Sequence, residues 1–255
     1  MRQLRAWVML VWLSFRRLLW SANSLMALMP LAACLLFLLK RRFGAGGFSE
    51  HLFDRFSNGF LMQIYLSIVV PLCTLAFAAG SIGGEREDRT LLFILVRPLP
   101  RWAVLLAKVV ATLPLALGAA CGGLFVFCRL AGDVGQAAWD DYLPAVFLST
   151  LAYVGVFQLL AVAFRYSTIV AVVYSLLIEV LLGHAPGIIK RVAVNYYGRT
   201  MMFAAGAPDG LGPPDPHWFE PFSPVVAGWT LIGFFIVTLV VAMLIFQRRE
   251  YRDLT

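Results

Sequence analysis

Long apolar stretches alternate with shorter polar segments along this sequence. Six apolar stretches stand out, at 22–39, 60–80, 103–127, 143–164, 168–182 and 225–246. A helix that crosses a hydrocarbon core about 30 Å thick needs about 20 residues that are mostly apolar. None of the six shows the sustained polar and apolar alternation of a barrel strand. The pattern therefore predicts an all-α polytopic membrane protein with six transmembrane helices.

The first 20 residues are also apolar, but arginines interrupt them. At 100° per residue, Arg2, Arg5 and Arg16 fall on one face of a helix with Arg17 close by, and apolar side chains occupy the opposite face. The uninterrupted part is too short to cross the membrane. We therefore expect residues 1–20 to form an amphipathic helix in the membrane interface. An irregular start of the first span is the alternative.

A charged segment, GGEREDRTLLFILVRPLPR at 83–101, separates the second and third stretches. Glu85 precedes Arg89 by four residues, and acidic residues fill what would be the first helical turn. Apolar side chains then share one face, and Pro98 ends the helical pattern. The segment predicts a short amphipathic helix on the cytoplasmic surface.

Charge predicts the orientation of the chain. Six spans place both termini on one side, together with 13 of the 21 Lys and Arg residues and 5 of the 14 acidic residues. Basic residues concentrate on the cytoplasmic side of membrane proteins. We therefore expect a multi-pass protein of the inner (plasma) membrane with cytoplasmic termini, although Lys40, Arg41 and Arg42 then fall outside. The net charge of +7 is explained by this orientation better than by binding to nucleic acid.

The whole chain, 1–255, is predicted to be one transmembrane domain. The interfacial helix covers 1–20, and the first five spans with the charged loop 83–101 cover 22–182. An outer loop at 183–224, the sixth span at 225–246 and a cytoplasmic tail at 247–255 follow. A short outer helix is predicted within 187–203. Gly118, Gly122 and Gly123 are expected to let neighbouring helices approach closely.

Catalytic signals are absent from the sequence. It has no G-x-x-x-x-G-K-[ST] phosphate loop, no H-E-x-x-H and no G-x-S-x-G, and its four cysteines show no metal-ligand spacing. We therefore expect no catalytic, metal or cofactor site in this chain.

Glu179 is the only acidic residue within a span, which predicts a place on a polar pathway or an interface. A carboxylate that reaches the outer surface is the alternative. Lys108, near the inner end of its span, is expected to extend its ammonium group to the surface.

These features together resemble an ATP-binding-cassette transporter permease of the type-2 exporter class. The resemblance covers essentially the whole chain, but its distinctive part is the charged loop. The matching residues are Glu85, Glu87, Thr90, Leu91, Leu92, Pro98, Arg101 and Lys108. Many relatives carry glycine before the threonine, where this chain has Arg89.

The resemblance implies that the loop is a coupling helix that inserts into a groove of a separate cytoplasmic ATPase. ATP and Mg would then be bound by that ATPase, and two permeases, identical or paralogous, would form a dimer in the lipid bilayer. The implied coupling residues are Glu85, Glu87, Thr90, Leu91, Leu92, Leu95, Pro98 and Arg101. Two alternatives to an export permease remain, a six-span scaffold or regulator that recruits a soluble partner without transport, and a membrane-embedded enzyme.

Overall fold

The structure is a computed structural model. It describes residues 2–41, 49–87, 100–181, 189–212, 219 and 222–248, and the statements below refer to these residues. Within these ranges the chain is almost entirely helical and contains no β-strand, which agrees with the predicted all-α class.

The N-terminal half contains long helices. They are α1 (Arg2–Leu19), α2 (Ala22–Arg41), a continuous rod made of α3 (Glu50–Phe56), the π-helical segment π1 (Ser57–Val69) and α4 (Val70–Glu87), and then α5 (Arg101–Leu130). The C-terminal half mixes long and short elements. They are α6 (Asp133–Ala163), α7 (Ser167–Tyr174), the π-helical segment π2 (Ser175–Leu181), a 3₁₀ turn (Ile189–Val192), α8 (Val194–Gly206), a second 3₁₀ turn (Ala207–Asp209) and α9 (Pro224–Arg248).

Five helices are long and apolar enough to cross a membrane. They are Ala22–Leu39, Glu50–Gly83, Arg101–Leu130, Asp133–Ala163 and Pro224–Arg248. They correspond to five of the six predicted spans. The remaining stretch, α7 with π2, is a helix about 22 Å long over its described residues, at about 1.5 Å per residue. Its crossing of the bilayer stays a prediction.

Two helices extend beyond the spans predicted within them, and the limits of those spans in the membrane stay predictions. The helix that contains the second predicted span begins at Glu50 instead of residue 60 and continues to Glu87, beyond residue 80. The helix that contains the fourth predicted span begins at Asp133 instead of residue 143, so only two residues separate it from α5. The outer ends of both helices are polar, so the hydropathy of the sequence predicted only the apolar part of each helix.

The N-terminal segment forms the predicted helix, α1. Leu10 is buried in a cluster with Ile82, Leu105 and Phe246, which lie near the predicted cytoplasmic ends of α4, α5 and α9. The exposed surface of α1 carries apolar side chains, such as Trp12 at 61% exposure, together with Arg5 and Arg16. These contacts suit a helix that lies flat beneath the bundle with an apolar face toward lipid. Its position in the membrane interface stays a prediction.

Helix α6 is the centre of the bundle. It packs against α4, α5, α8 and α9. In the apolar window of α6, 72% of the residues are buried, compared with 17% in α2 and in α9. Side chains that depend on burial therefore gather around α6, while α2 and α9 lie at the periphery.

Of the three glycines predicted to allow close helix contacts, one does so within the described chain. A Cβ atom added at Gly123 would lie 2.6 Å from the Leu31 side chain, which agrees with the prediction of close packing. The prediction was wrong for Gly118 and Gly122, where an added Cβ would meet no atom within 4 Å. Gly135 makes the tightest contact with backbone, because an added Cβ would collide with the carbonyl group of Cys128.

The first prediction concerns the tight turn between α5 and α6. Gly132 in this turn has φ 67°, and Gly135 follows in the first turn of α6. Gly135→Ala should lower the free energy of unfolding by about 1–3 kcal/mol, because backbone atoms cannot rotate away from the new methyl group. The measurement is the melting temperature of the purified protein in detergent.

The matched control for this prediction is Gly118→Ala. It adds the same methyl group in open space within α5, so stability should be unchanged or slightly higher, given the better helix propensity of alanine. Equal melting temperatures for the two variants would contradict the proposed steric constraint.

Candidate functional site

Helix α8 lies among the spans although the sequence placed it in an outer loop. The Asn195 side chain, near its start, bonds to Ser67 in π1, and Gly198 lies against Ser149 of α6. Gly206, at the end of α8, lies against Tyr142, further toward the outer end of α6. The predicted helix within 187–203 is therefore present. It begins deep in the bundle and runs outward along α6.

The start of α8 is held by the carboxylate of Glu179, whose side chain is fully buried. The Tyr153 hydroxyl donates to Oε2 at 2.8 Å, and the Tyr174 hydroxyl donates to Oε1 at 3.0 Å. The backbone N–H of Val194 donates to Oε1 at 3.1 Å, and that of Asn195 donates to Oε2 at 2.9 Å. Each carboxylate oxygen thus accepts one tyrosine hydroxyl and one backbone N–H.

This arrangement serves as a cap for α8. The first N–H groups of a helix have no partner within the helix, and the residue that precedes α8, Ala193, makes no side-chain cap. An ionised carboxylate has only acceptor sites and is attracted to the positive end of the helix dipole. The four donors therefore match an ionised Glu179, which stabilises the start of α8 away from water.

Two π-helical segments adjoin this site. Glu179 belongs to π2, while Ser67 belongs to π1 and donates to the Met62 carbonyl, five residues earlier. The Asn195 Nδ2 donates to the Ser67 hydroxyl at 2.8 Å, which extends the network to a further element. π-helical turns are rare and occur frequently at functional sites. The network, which we call the Glu179 site, thus joins α6, α7, π2, α8 and π1.

The sequence predicted two possible positions for Glu179. The alternative of a carboxylate at the outer surface was wrong, because the side chain is fully buried and bonded within this chain. Its place on a pathway or an interface stays a prediction. Tyr153, Tyr174, Asn195 and Ser67 were not identified from the sequence, although each is a polar residue in or beside an apolar stretch, which was the available signal.

The inner end of α5 is held by two neighbours. Trp7 of α1 donates its indole N–H to the Ala103 carbonyl at 2.9 Å. Arg101, at the start of α5, donates from Nη1 to the Gln247 carbonyl in the last turn of α9 at 3.4 Å. The first turn of α5 is therefore connected to α1 and to α9.

A polar bridge crosses the inner half of the bundle. The Gln158 Nε2 of α6 donates to the Ser81 hydroxyl of α4 at 2.8 Å and to the Thr112 hydroxyl of α5 at 3.4 Å.

The prediction that Lys108 extends to the surface was wrong, since its side chain is 2% exposed. Helix α5 packs against α1, α4 and α6, and the Lys108 side chain is covered within the described part of the chain.

Most of the predicted coupling residues lie outside the described residues. This holds for Thr90, Leu91, Leu92, Leu95 and Pro98. Glu85 and Glu87 belong to the last turn of α4, and only their backbone is described. Arg101 is the only implied coupling residue with a described side-chain contact.

The second prediction tests the cap on α8. An amide at position 179 has one oxygen and one NH₂ group, and each position of the carboxylate oxygens faces a backbone N–H. Glu179→Gln therefore places a donor against a donor in either orientation of the amide. We expect it to lower the free energy of unfolding by about 1–3 kcal/mol, the cost of an unsatisfied buried donor. Thermal unfolding in detergent measures this.

Tyr174→Phe is the matched control, because it removes one hydroxyl donor and leaves both N–H contacts in place. Its effect should be smaller than that of Glu179→Gln. A Glu179→Gln protein that melts at the wild-type temperature would show that the cap does not stabilise α8.

Comparison with known proteins covers almost the whole chain. No curated protein matches it significantly. A family model described as "ABC-2 family transporter protein" matches residues 16–251, which include every described helix from the end of α1 onward. Together with the bundle of apolar helices, this match shows that the chain is a multi-pass membrane protein that belongs to the ABC-2 family of transporter proteins.

Proposed function

We propose that this chain is the permease subunit of an ATP-driven exporter. In this proposal two permeases, identical or paralogous, form a dimer in the inner (plasma) membrane with their termini in the cytoplasm. A separate cytoplasmic ATPase binds ATP and Mg and docks on the loop between α4 and α5. The residues assigned to coupling are Glu85, Glu87, Thr90, Leu91, Leu92, Leu95, Pro98 and Arg101.

The observation that carries the proposal is the attachment of the first turn of α5. This turn follows the proposed docking loop directly, and it is bonded to α1 through Trp7 and to α9 through Arg101. A force applied to the loop would therefore act on three helices at once. Such an attachment suits a segment that transmits the closure of an ATPase to a membrane bundle.

The polar bridge supports the same role from the other side of the loop. Gln158 links α4, which leads into the loop, to α5, which leads out of it. Because helices are stiff and the bridge is buried, the two flanking helices and α6 should move together.

We expect the motion of α4, α5 and α6 to reach the Glu179 site. Gln158 and Tyr153 lie five residues apart on α6, a distance of about 7.5 Å along the helix. Tyr153 bonds to Glu179, and Glu179 bonds to the start of α8. We assign Glu179 to the translocation path or the dimer interface, where it would hold α8 as α6 moves.

The third prediction tests docking. Leu92 lies on the apolar face of the proposed coupling helix, and a few buried anchors dominate such interfaces. Leu92→Asp should weaken ATPase binding by about 1–4 kcal/mol, or leave the ATPase bound with its coupling to transport lost. The measurements are co-purification of an ATPase subunit and transport activity.

Arg86→Ala is the control for docking, because a charge at the rim of an interface contributes little. Normal ATPase co-purification and normal transport in Leu92→Asp would remove the main support for the proposal. They would instead favour a membrane scaffold or regulator.

The fourth prediction tests transmission separately from docking. Trp7→Phe keeps an aromatic ring in place but removes the N–H that bonds to Ala103, a loss of about 1 kcal/mol. The ATPase should still co-purify. The ATP-dependent change in labelling of a cysteine placed at Ala207, an exposed outer position, should become smaller.

Trp12→Phe is the matched control for transmission, because Trp12 lies on the same helix and its side chain is 61% exposed. It should leave the labelling change as in the wild type. Identical labelling in both variants would show that the bond from α1 to α5 carries no part of the motion.

A further inference from the structure

The outer end of α8 is fitted between α6 and α3. The second 3₁₀ turn ends before Gly210, which adopts the left-handed conformation with φ 89°. A Cβ atom added at Gly210 would lie 2.7 Å from the Glu50 side chain of α3. One added at Gly206 would collide with the Tyr142 hydroxyl of α6, which donates to Ser57 of π1 at 2.9 Å. The turn is therefore docked closely against two helices.

Two carboxyl groups meet in this contact. Asp209, the last residue of the turn, is hydrogen-bonded through its side chain to the side chain of Asp141 in α6. The Asp141 Oδ2 atom is buried. An ionised carboxylate can only accept hydrogen bonds, so two carboxyl groups bond to each other only when one of them keeps a proton. The contact therefore corresponds to a pair that shares one proton.

The pair lies outside the apolar part of α6. This helix has 31 residues and is about 46 Å long, whereas the hydrocarbon core of a bilayer is about 30 Å thick. Residues 133–142 at its outer end include three aspartates and precede the predicted span at 143–164. Asp141 is half-buried, so protons from the solution at that end can reach it.

The surroundings of the pair oppose its full ionisation. Burial, together with the carboxyl of Asp209 and the negative charge of Asp140, raises the pKa of Asp141 to about 6. The other titratable groups near this corner, among the described residues of α6 and α3, are Tyr142, Glu50, His51, Asp54 and Arg55. Of these, the two basic side chains are exposed. The pair therefore keeps its proton to a higher pH than an isolated aspartate does.

We propose that Asp141 and Asp209 form a proton-dependent latch that fastens the outer end of α8 to α6. With one proton shared, the hydrogen bond holds the turn in its docked position. When that proton is lost, two negative charges face each other and docking weakens. The cap made by Glu179 lies at the opposite end of α8, so the release begins at the outer end.

The direction of the pH dependence follows from the docked and released states. An aspartate that faces water has a pKa of about 3.9, which is below that of the docked Asp141. Docking is therefore strongest at low pH, weakens as the pH rises from about 4 to about 6, and stays at the weaker level above that range. Between about pH 5 and about pH 7.5, the equilibrium constant for docking should fall about tenfold.

Hydrogen exchange of the full chain in a neutral detergent tests the latch. The backbone N–H of Leu211 donates to the Gly206 carbonyl at 3.1 Å, so its protection reports the closed turn. Protection factors for a peptide that covers 206–212, corrected for the intrinsic pH dependence of exchange, should fall about tenfold from about pH 5 to about pH 7.5. Equal protection at the two pH values would overturn the proposal. The measurement needs neither an ATPase nor transport, so its failure would leave the proposed function untouched.

Asp209→Asn separates proton sharing from other effects of pH. Its amide NH₂ group can donate to an ionised Asp141, so protection should stay high at both pH values. Asp141→Asn is the reciprocal variant and should give the same result. Asp133→Asn is the matched control, because it removes an exposed carboxyl from the same end of α6. It should keep the pH dependence of the wild type. Persistence of that dependence in both pair variants, or its loss in the control, would contradict the latch.

Discussion

A helix that begins inside a membrane bundle must satisfy its first N–H groups without water. This constraint explains the arrangement around Glu179, because the first two N–H groups of α8 donate to its carboxylate. The charge in turn needs donors on its remaining acceptor sites, and Tyr153 and Tyr174 provide them. Neither α8 nor Glu179 would be stable at this depth alone. Their mutual dependence fixes how α6, α7 and α8 pack.

In the described part of the inner half, the polar contacts between helices are separate hydrogen bonds. The contacts of Trp7, Arg101 and Gln158 each join helices that lie far apart in sequence, and none is an ion pair among the described contacts. Hydrogen bonds between neutral groups, such as those of Trp7 and Gln158, contribute about 1 kcal/mol each. A region held in this way can rearrange at modest cost, whereas the Glu179 site can rearrange only if several bonds break together.

The sequence predicted the parts of the fold that depend on hydropathy. Apolar helices near 22–39, 103–127 and 225–246 were predicted within a few residues, because apolar length alone determines them. The polar outer ends that start at Glu50 and Asp133 were missed, since they carry no apolar signal. Glu179 was recognised as unusual, but Tyr153 and Asn195 were not linked to it, because their contact depends on how α6 and α8 pack.

The Glu179 site has a consequence for the biogenesis of the protein. The carboxylate and its four donors come from residues 153 to 195, so all of them precede α9 in synthesis. Chains emerge from the ribosome N-terminus first. The buried charge can therefore obtain its partners before the last span enters the bilayer, and that span is added to a bundle in which this carboxylate already has its four hydrogen bonds.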